Sequence, residues 1–259
     1  SRMMPAFRDA LTKVELRRVV DYLRTFCADD EWPRGELNLP RALVTEKAYP
    51  EDEVVFTTVS AVEGAGVWTY EFVYEKRLGA RNQWEIAVPA GIRERSTGGW
   101  TGGMGDISLG IKRVLLHSLR SGTIFSAVGE LILPTGDEDD DFGAGTAAFE
   151  PFLALGQTLP AGAFAQLQAG LGLPFDRDRA NDEGFWRAVL GKSFRERRWG
   201  RVFSPMVELL GSREFAAGER TLWDALPQIQ ITLSRRQHVM ANIGVRVPLN
   251  RTATRQTEF

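Results

Sequence analysis

Apolar and polar side chains alternate along most of this chain. In 106–118, Ile107, Leu109, Ile111 and Leu115 fall on one face, and Asp106, Ser108, Gly110 and Lys112 on the other. Segments 123–133, 149–155 and 165–173 repeat the pattern, with Gln166, Gln168, Gly170 and Gly172 sharing a polar face in the last. A period of two with one apolar and one polar face is the signature of a strand. Further strands are expected at 54–62, 67–75, 84–88, 185–194, 202–210, 228–234 and 238–247. In 67–75, Trp68, Tyr70, Phe72 and Tyr74 make one face wholly aromatic, a feature common where amphipathic rings meet a membrane interface. Eleven strands result, and a twelfth is expected to start near Thr254 and to be cut short at Phe259.

The connections alternate in length. The turns around Gly79, Arg120, Pro160 and Arg235, and the basic stretch 195–200, are short. The loops 91–105, 135–145, 174–184 and 211–225 are long. Strands of roughly ten residues, tight turns on one side and long loops on the other describe a transmembrane β-barrel. The expected fold is therefore all-β: an antiparallel transmembrane barrel of about 12 strands, the last incomplete, preceded by a short α-helical segment. The short turns would be periplasmic and the long loops extracellular.

The first residues break the pattern. Thr12 and Glu15 have the spacing of a capping box, and Leu16, Val19, Val20, Leu23 and Phe26 then recur at helical intervals. Residues 32–50 carry Pro33, Pro40 and Pro50 with no clear period, and read as an extended linker. The division is thus 1–31 helical, 32–50 linker and 51–259 barrel.

Composition narrows the class. A net charge of −2 leaves no nucleic-acid footprint. No run reaches the length of a transmembrane helix, which says nothing about barrel strands. Cys27 is the single cysteine, so no intrachain disulfide can form. No signal peptide opens the sequence, so an export signal is expected to have been removed or to lie upstream.

The chemistry-bearing residues cluster on the polar faces. Asp106, Lys112, Glu130, Glu150, Gln166, Gln168, Arg187, Glu208, Gln228, Gln230, Asn242 and Arg246 all oppose the apolar side and would line the lumen. Mixed charges facing one lumen tend to pair, and about twelve strands lies between a filled barrel and an open porin, so a narrow or largely filled lumen is expected. The acidic run 137–141 reads as a solvated loop rather than a cation site. His117 and His238 have strand parities on opposite faces, which argues against a shared metal. No metal site and no pairing of nucleophile and base emerge, so no enzyme activity is expected.

Two resemblances add to this. The pieces YEKRLGARNQWEIAVP (74–89), GDISLGIK (105–112) and GELILPTGD (129–137) resemble a family of outer-membrane barrels named after the meta-pathway of phenol degradation, whose members are often described as transporters. The resemblance runs from about Leu39 to the end, and its motifs are structural: strand ends, turns and a loop entry. The start, MPAF followed by LTKVEL and YLRTF, resembles the C-terminal end of a class I cytochrome c. By that resemblance Met4 would be the methionine axial ligand of a haem. The Cys-x-x-Cys-His attachment motif is absent, so no cofactor is expected within this chain, and haem c only if an upstream part completes the domain. The function implied is an outer-membrane channel or transporter for small molecules associated with a periplasmic c-type cytochrome. The alternative is a structural anchor, or an electron-conduit partner, holding such a cytochrome at the membrane. A third reading is a soluble barrel with its polar face outside. The partners implied are outer-membrane lipid and a periplasmic cytochrome complex, with the N-terminal segment in the periplasm.

Overall fold

The computed structural model describes residues 11–26, 31–33, 35–61, 66–95, 97–138, 140–196, 201–234, 238–250, 255 and 257–259. The chain divides into two compact units, Ser1–Trp32 and Pro33–Phe259.

The first unit holds one helix, α1 (Lys13–Arg24). It starts where the sequence says it should. The Thr12 side chain accepts from the Glu15 amide, and the Glu15 carboxylate accepts from the Thr12 amide at 2.8 Å. These hydrogen bonds hold the Glu15 carboxyl below the usual glutamate range. The helix leaves Leu16, Val19, Val20, Leu23 and Phe26 exposed.

The second unit is an antiparallel sheet. Its strands are β1 (Glu53–Ser60), β2 (Val67–Leu78), β3 (Asn82–Glu94), β4 (Trp100–Met104), β5 (Ser108–Ser118), β6 (Thr123–Ile132) and β7 (Ala148–Thr158). β8 (Ala163–Pro174), β9 (Glu183–Lys192), β10 (Phe194–Arg195), β11 (Val202–Glu214), β12 (Leu222–Thr232), β13 (Met240–Gly244) and β14 (Val247–Pro248) follow. The main path runs through eleven of these in sequence order, β1-β2-β3-β5-β6-β7-β8-β9-β11-β12-β13. β4, β10 and β14 extend it, pairing with β3, β11 and β12. The two edges are tied at one end: Glu258 bridges both Ala61, just past β1, and Arg246, just past β13.

The faces are inverted relative to a soluble sheet. Outward-facing Phe56, Ile111, Leu153, Leu167, Leu190, Val207 and Ile243 are exposed, while Gln83, Lys112, Ser126, Gln166 and Glu208 are buried. This excludes the reading with a polar exterior.

The strands and their connections depart from expectation in three places. Most of 91–105 is not loop but the β3–β4 hairpin, in which Gly91 faces Gly103. The Phe142 ring lies on that hairpin, where a Cβ on Gly103 would come within 2.5 Å of it. In 211–225, only the stretch between Glu214 and Leu222 lies outside the strands, because β11 continues through Gly211–Glu214 and β12 already begins at Leu222, the two pairing as far as Ser212 opposite Leu222. Finally, a bulge between Val114 and Leu116 leaves both Leu115 and Leu116 exposed. His117 consequently pairs with buried Ile124, which reverses the face that simple counting assigns to it.

Candidate functional site

Residues 33–52, expected to be a linker, pack inside the curve of the sheet. Three prolines deny this stretch the regular donors of a strand, so it forms one short 3₁₀ turn, Gly35–Leu37, and otherwise runs irregularly. Its backbone groups still need partners once buried. The polar face of the wall supplies them. Glu208 on β11 accepts from the amides of Leu43 at 3.0 Å, Val44 at 3.1 Å and Thr45 at 2.7 Å, and from the Thr45 hydroxyl at 2.5 Å. Gln228 also accepts from Leu43, Gln168 from the Glu46 amide, and Gln83 from the Glu51 amide. In the other direction Gln166 donates to the Pro40 carbonyl, Arg187 to Val44, Asn242 to Arg41 and Ser126 to Ala48.

Charges and apolar groups complete the fit. Arg41 pairs with Glu75 at 2.8 Å, Lys47 with Glu51 at 2.9 Å, and Lys112 with Glu46. Leu37, Ala48 and Tyr49 pack with Val114, Ile124 and Ala154, and Leu39 and Ala42 with Phe164, Val189 and Met206. At Gly244 a Cβ would come within 2.7 Å of Leu43, so the plug tip requires glycine on that wall. The segment enters and leaves at the end of the short turns. Pro33 accepts from the Tyr49 hydroxyl, and Pro50 accepts from Arg77 beside the β2–β3 turn. Its tip, residues 43–46, reaches the middle of the strands, where Glu208 stands.

The lumen residues named from the sequence fall into three groups. Lys112, Gln166, Gln168, Glu208, Gln228 and Gln230 are buried on the inner face. Glu130, Glu150, Arg187 and Asn242 are partly buried and line the remaining space. Asp106 and Arg246 do other work. Asp106 accepts from the amides of Gly136 and Ala144 and so braces the long loop between β6 and β7. Arg246 pairs with Asp224 at 2.9 Å and with Glu258 at 3.4 Å, at the edge where the sheet is tied. The sequence reading passed over Glu75, Gln83, Glu85 and Asp224, all buried on the inner face. Gln83 and Glu85 alternate with Trp84 and Ile86, which was a usable signal. The acids of the plug itself lay in a stretch with no period to read.

Beyond the plug tip, towards the long loops, lies a cavity of about 180 Å³. Six carboxylates line it, Glu46, Glu71, Glu75, Glu85, Glu130 and Glu150, against Arg41 and Arg187. Oxygens of Glu46, Glu85 and Glu130 lie within 4.8 Å of one another, and the Lys112 ammonium sits against Glu46. The acidic loop is differently committed: Arg93 pairs with Asp141 at 2.7 Å and Arg179 with Glu138 at 2.6 Å.

Met4, the candidate haem ligand, and Cys27 lie outside the described residues. No protein-family model matches this chain, and no curated protein matches it.

Proposed function

We propose that this chain is an outer-membrane β-barrel filled from the periplasmic side by its own residues 33–52, and that it anchors a periplasmic N-terminal domain there. The observation that carries the reading is the clamp of Glu208 on three successive amides of the plug. A wall that hydrogen-bonds the backbone of its filling at mid-depth is built to keep it. The exposed apolar belt supports lipid contact, since barrel strands alternate apolar-out and polar-in. Entry of the plug at the short turns supports a periplasmic N-terminus.

The N-terminal unit supports the anchor reading in its own way. The stripe from Leu16 to Phe26 is exposed, as expected of a helix whose domain is completed by further residues. The resemblance to the last helix of a class I cytochrome c names that domain, with Met4 as axial ligand. This chain alone does not fit a covalent haem: it has one cysteine and no Cys-x-x-Cys-His. The attachment motif would have to lie upstream. The family resemblance of 74–137 points to transport, and the acidic cavity beyond the plug favours that as a second reading. Transport would require the plug tip to leave Glu208.

The test uses protein in native outer membranes, carrying its native N-terminus. A protease site placed at 27–32 should release a haem-bearing fragment while the barrel stays in the membrane, and Met4→Ala should alter the reduced spectrum of that fragment. Release without haem would remove the cytochrome. Recovery of the barrel in the soluble fraction would remove the anchor.

A further inference from the structure

The wall holds its filling largely by the backbone. Most of the hydrogen bonds it makes to residues 40–48 end on main-chain atoms. Glu208 and Gln228 accept from the Leu43 amide, Glu208 also from those of Val44 and Thr45, and Gln168 from that of Glu46. Arg187 donates to the Val44 carbonyl, Gln166 to that of Pro40 and Asn242 to that of Arg41. Amides and carbonyls recur along any polypeptide, whatever its sequence. The lumen also has width. The plug enters and leaves at the short-turn end, so the space below its tip holds two passes of chain. On the way in, Leu39 and Ala42 pack with Phe164, Val189 and Met206. On the way out, Ala48 and Tyr49 pack with Val114, Ile124 and Ala154. Space for two passes is ample for one extended chain with large side chains.

We infer that the inner wall is a binding site for extended polypeptide, and that the molecule it transports is a peptide segment taking the place of residues 40–48. This substrate class rests on the transport reading above. Hydrogen bonds to the main chain give affinity without regard to sequence, and side-chain pockets add preference. Glutamine suits the role, because its amide both donates and accepts and so meets either main-chain group. Gln168 accepts from the plug and Gln166 donates to it. Glu208 gives the firmest hold, as a carboxylate taking amide donors. The same polarity makes the filling replaceable. A hydrogen bond made on binding replaces one to water and contributes little net, so these groups lose little when one chain leaves and another arrives. The two apolar clusters favour apolar side chains on either flank of the bound segment. A small aromatic molecule offers no row of amides and carbonyls and engages little of this wall.

The test measures, by fluorescence anisotropy in detergent, the binding of dye-labelled peptides to a variant with 42–47 replaced by glycine and serine. One peptide has the sequence of 38–48, and a second has the same residues in scrambled order. A third has the native sequence with N-methyl groups at the positions of Leu43, Val44 and Thr45. The first two should bind with affinities within about tenfold of each other. N-methylation removes the amide donors that Glu208 accepts, and should weaken binding about a hundredfold or more. Protein folded intact and then cut at a protease site introduced at exposed Gly35 and Glu36 gives the same measurement without relying on the variant to fold. Binding of the native sequence alone, equal binding of the N-methylated peptide, or binding of none overturns the inference. Conductance of the same variant without peptide bears on the filled lumen and on transport alone, so failure of those readings is distinguishable from failure of this one.

Discussion

The carboxylate of Glu208, on β11, and Thr45, on the plug, are joined twice: the Thr45 amide donates to it at 2.7 Å and the Thr45 hydroxyl at 2.5 Å. Both residues are almost wholly buried. Glu208→Ala would strand the amides of Val44 and Thr45 in a dry interior, while Leu43 keeps Gln228 as acceptor, at about 1–3 kcal/mol for each group that finds no water. We expect a loss of about 3 kcal/mol, together with faster amide exchange at Val44 and Thr45. Thr45→Val removes one donor and should cost about 1 kcal/mol. Unchanged exchange at these amides in Glu208→Ala would show that the clamp does not hold the plug.

Lys112 supplies the cation for a group of acids. Removing one partner of a buried ion pair costs about 3–5 kcal/mol, because the other charge is left behind. Lys112→Met should therefore destabilise the barrel at pH 8. The loss should shrink when the acid left behind is neutralised as well, in Lys112→Met combined with Glu46→Gln. Denaturant midpoints of the single and double variants measure this, and an equal loss in both would contradict it.

The outer face should respond to charge according to depth. Leu153, at the centre of β7 and exposed, should cost about 2–4 kcal/mol of folding in bilayers when changed to Arg. Leu78, exposed beside the β2–β3 turn, should cost about 0–1 kcal/mol for the same change. Refolding titrations into lipid vesicles compare them. Similar costs at both sites would argue against a lipid belt.

Sidedness is testable with single cysteines in a Cys27→Ser background. Cysteines at Ala144 and Ala217, both exposed in long loops, should react with an impermeant thiol reagent on intact cells. A cysteine at Ser121, exposed in a short turn, should react only after the outer membrane is opened. The opposite pattern would invert the topology.

Much of the wall was legible because its physics is local. Alternation places Lys112 inside and Ile111 outside without further information, and eleven strands form the main path of the sheet. The bulge at Val114 was not legible: one inserted residue leaves composition unchanged but reverses every later parity in the strand, His117 included. The plug was hidden for a different reason. Pro33, Pro40 and Pro50 signal irregular backbone equally well for a free linker and for a segment held by side chains distant in sequence. Glu208 lies 163 residues from Thr45, and nothing local in either stretch encodes that meeting.

The claim on which the rest depends is that residues 33–52 fill the lumen of a membrane-inserted barrel. Conductance across a planar bilayer measures this directly. The intact protein should insert and stay electrically silent, while a variant with 42–47 replaced by glycine and serine should show discrete ion-conducting steps, cation-selective because of the acids around Glu85 and Glu130. Steady conductance of the same size from both proteins, or insertion of neither, would contradict the account.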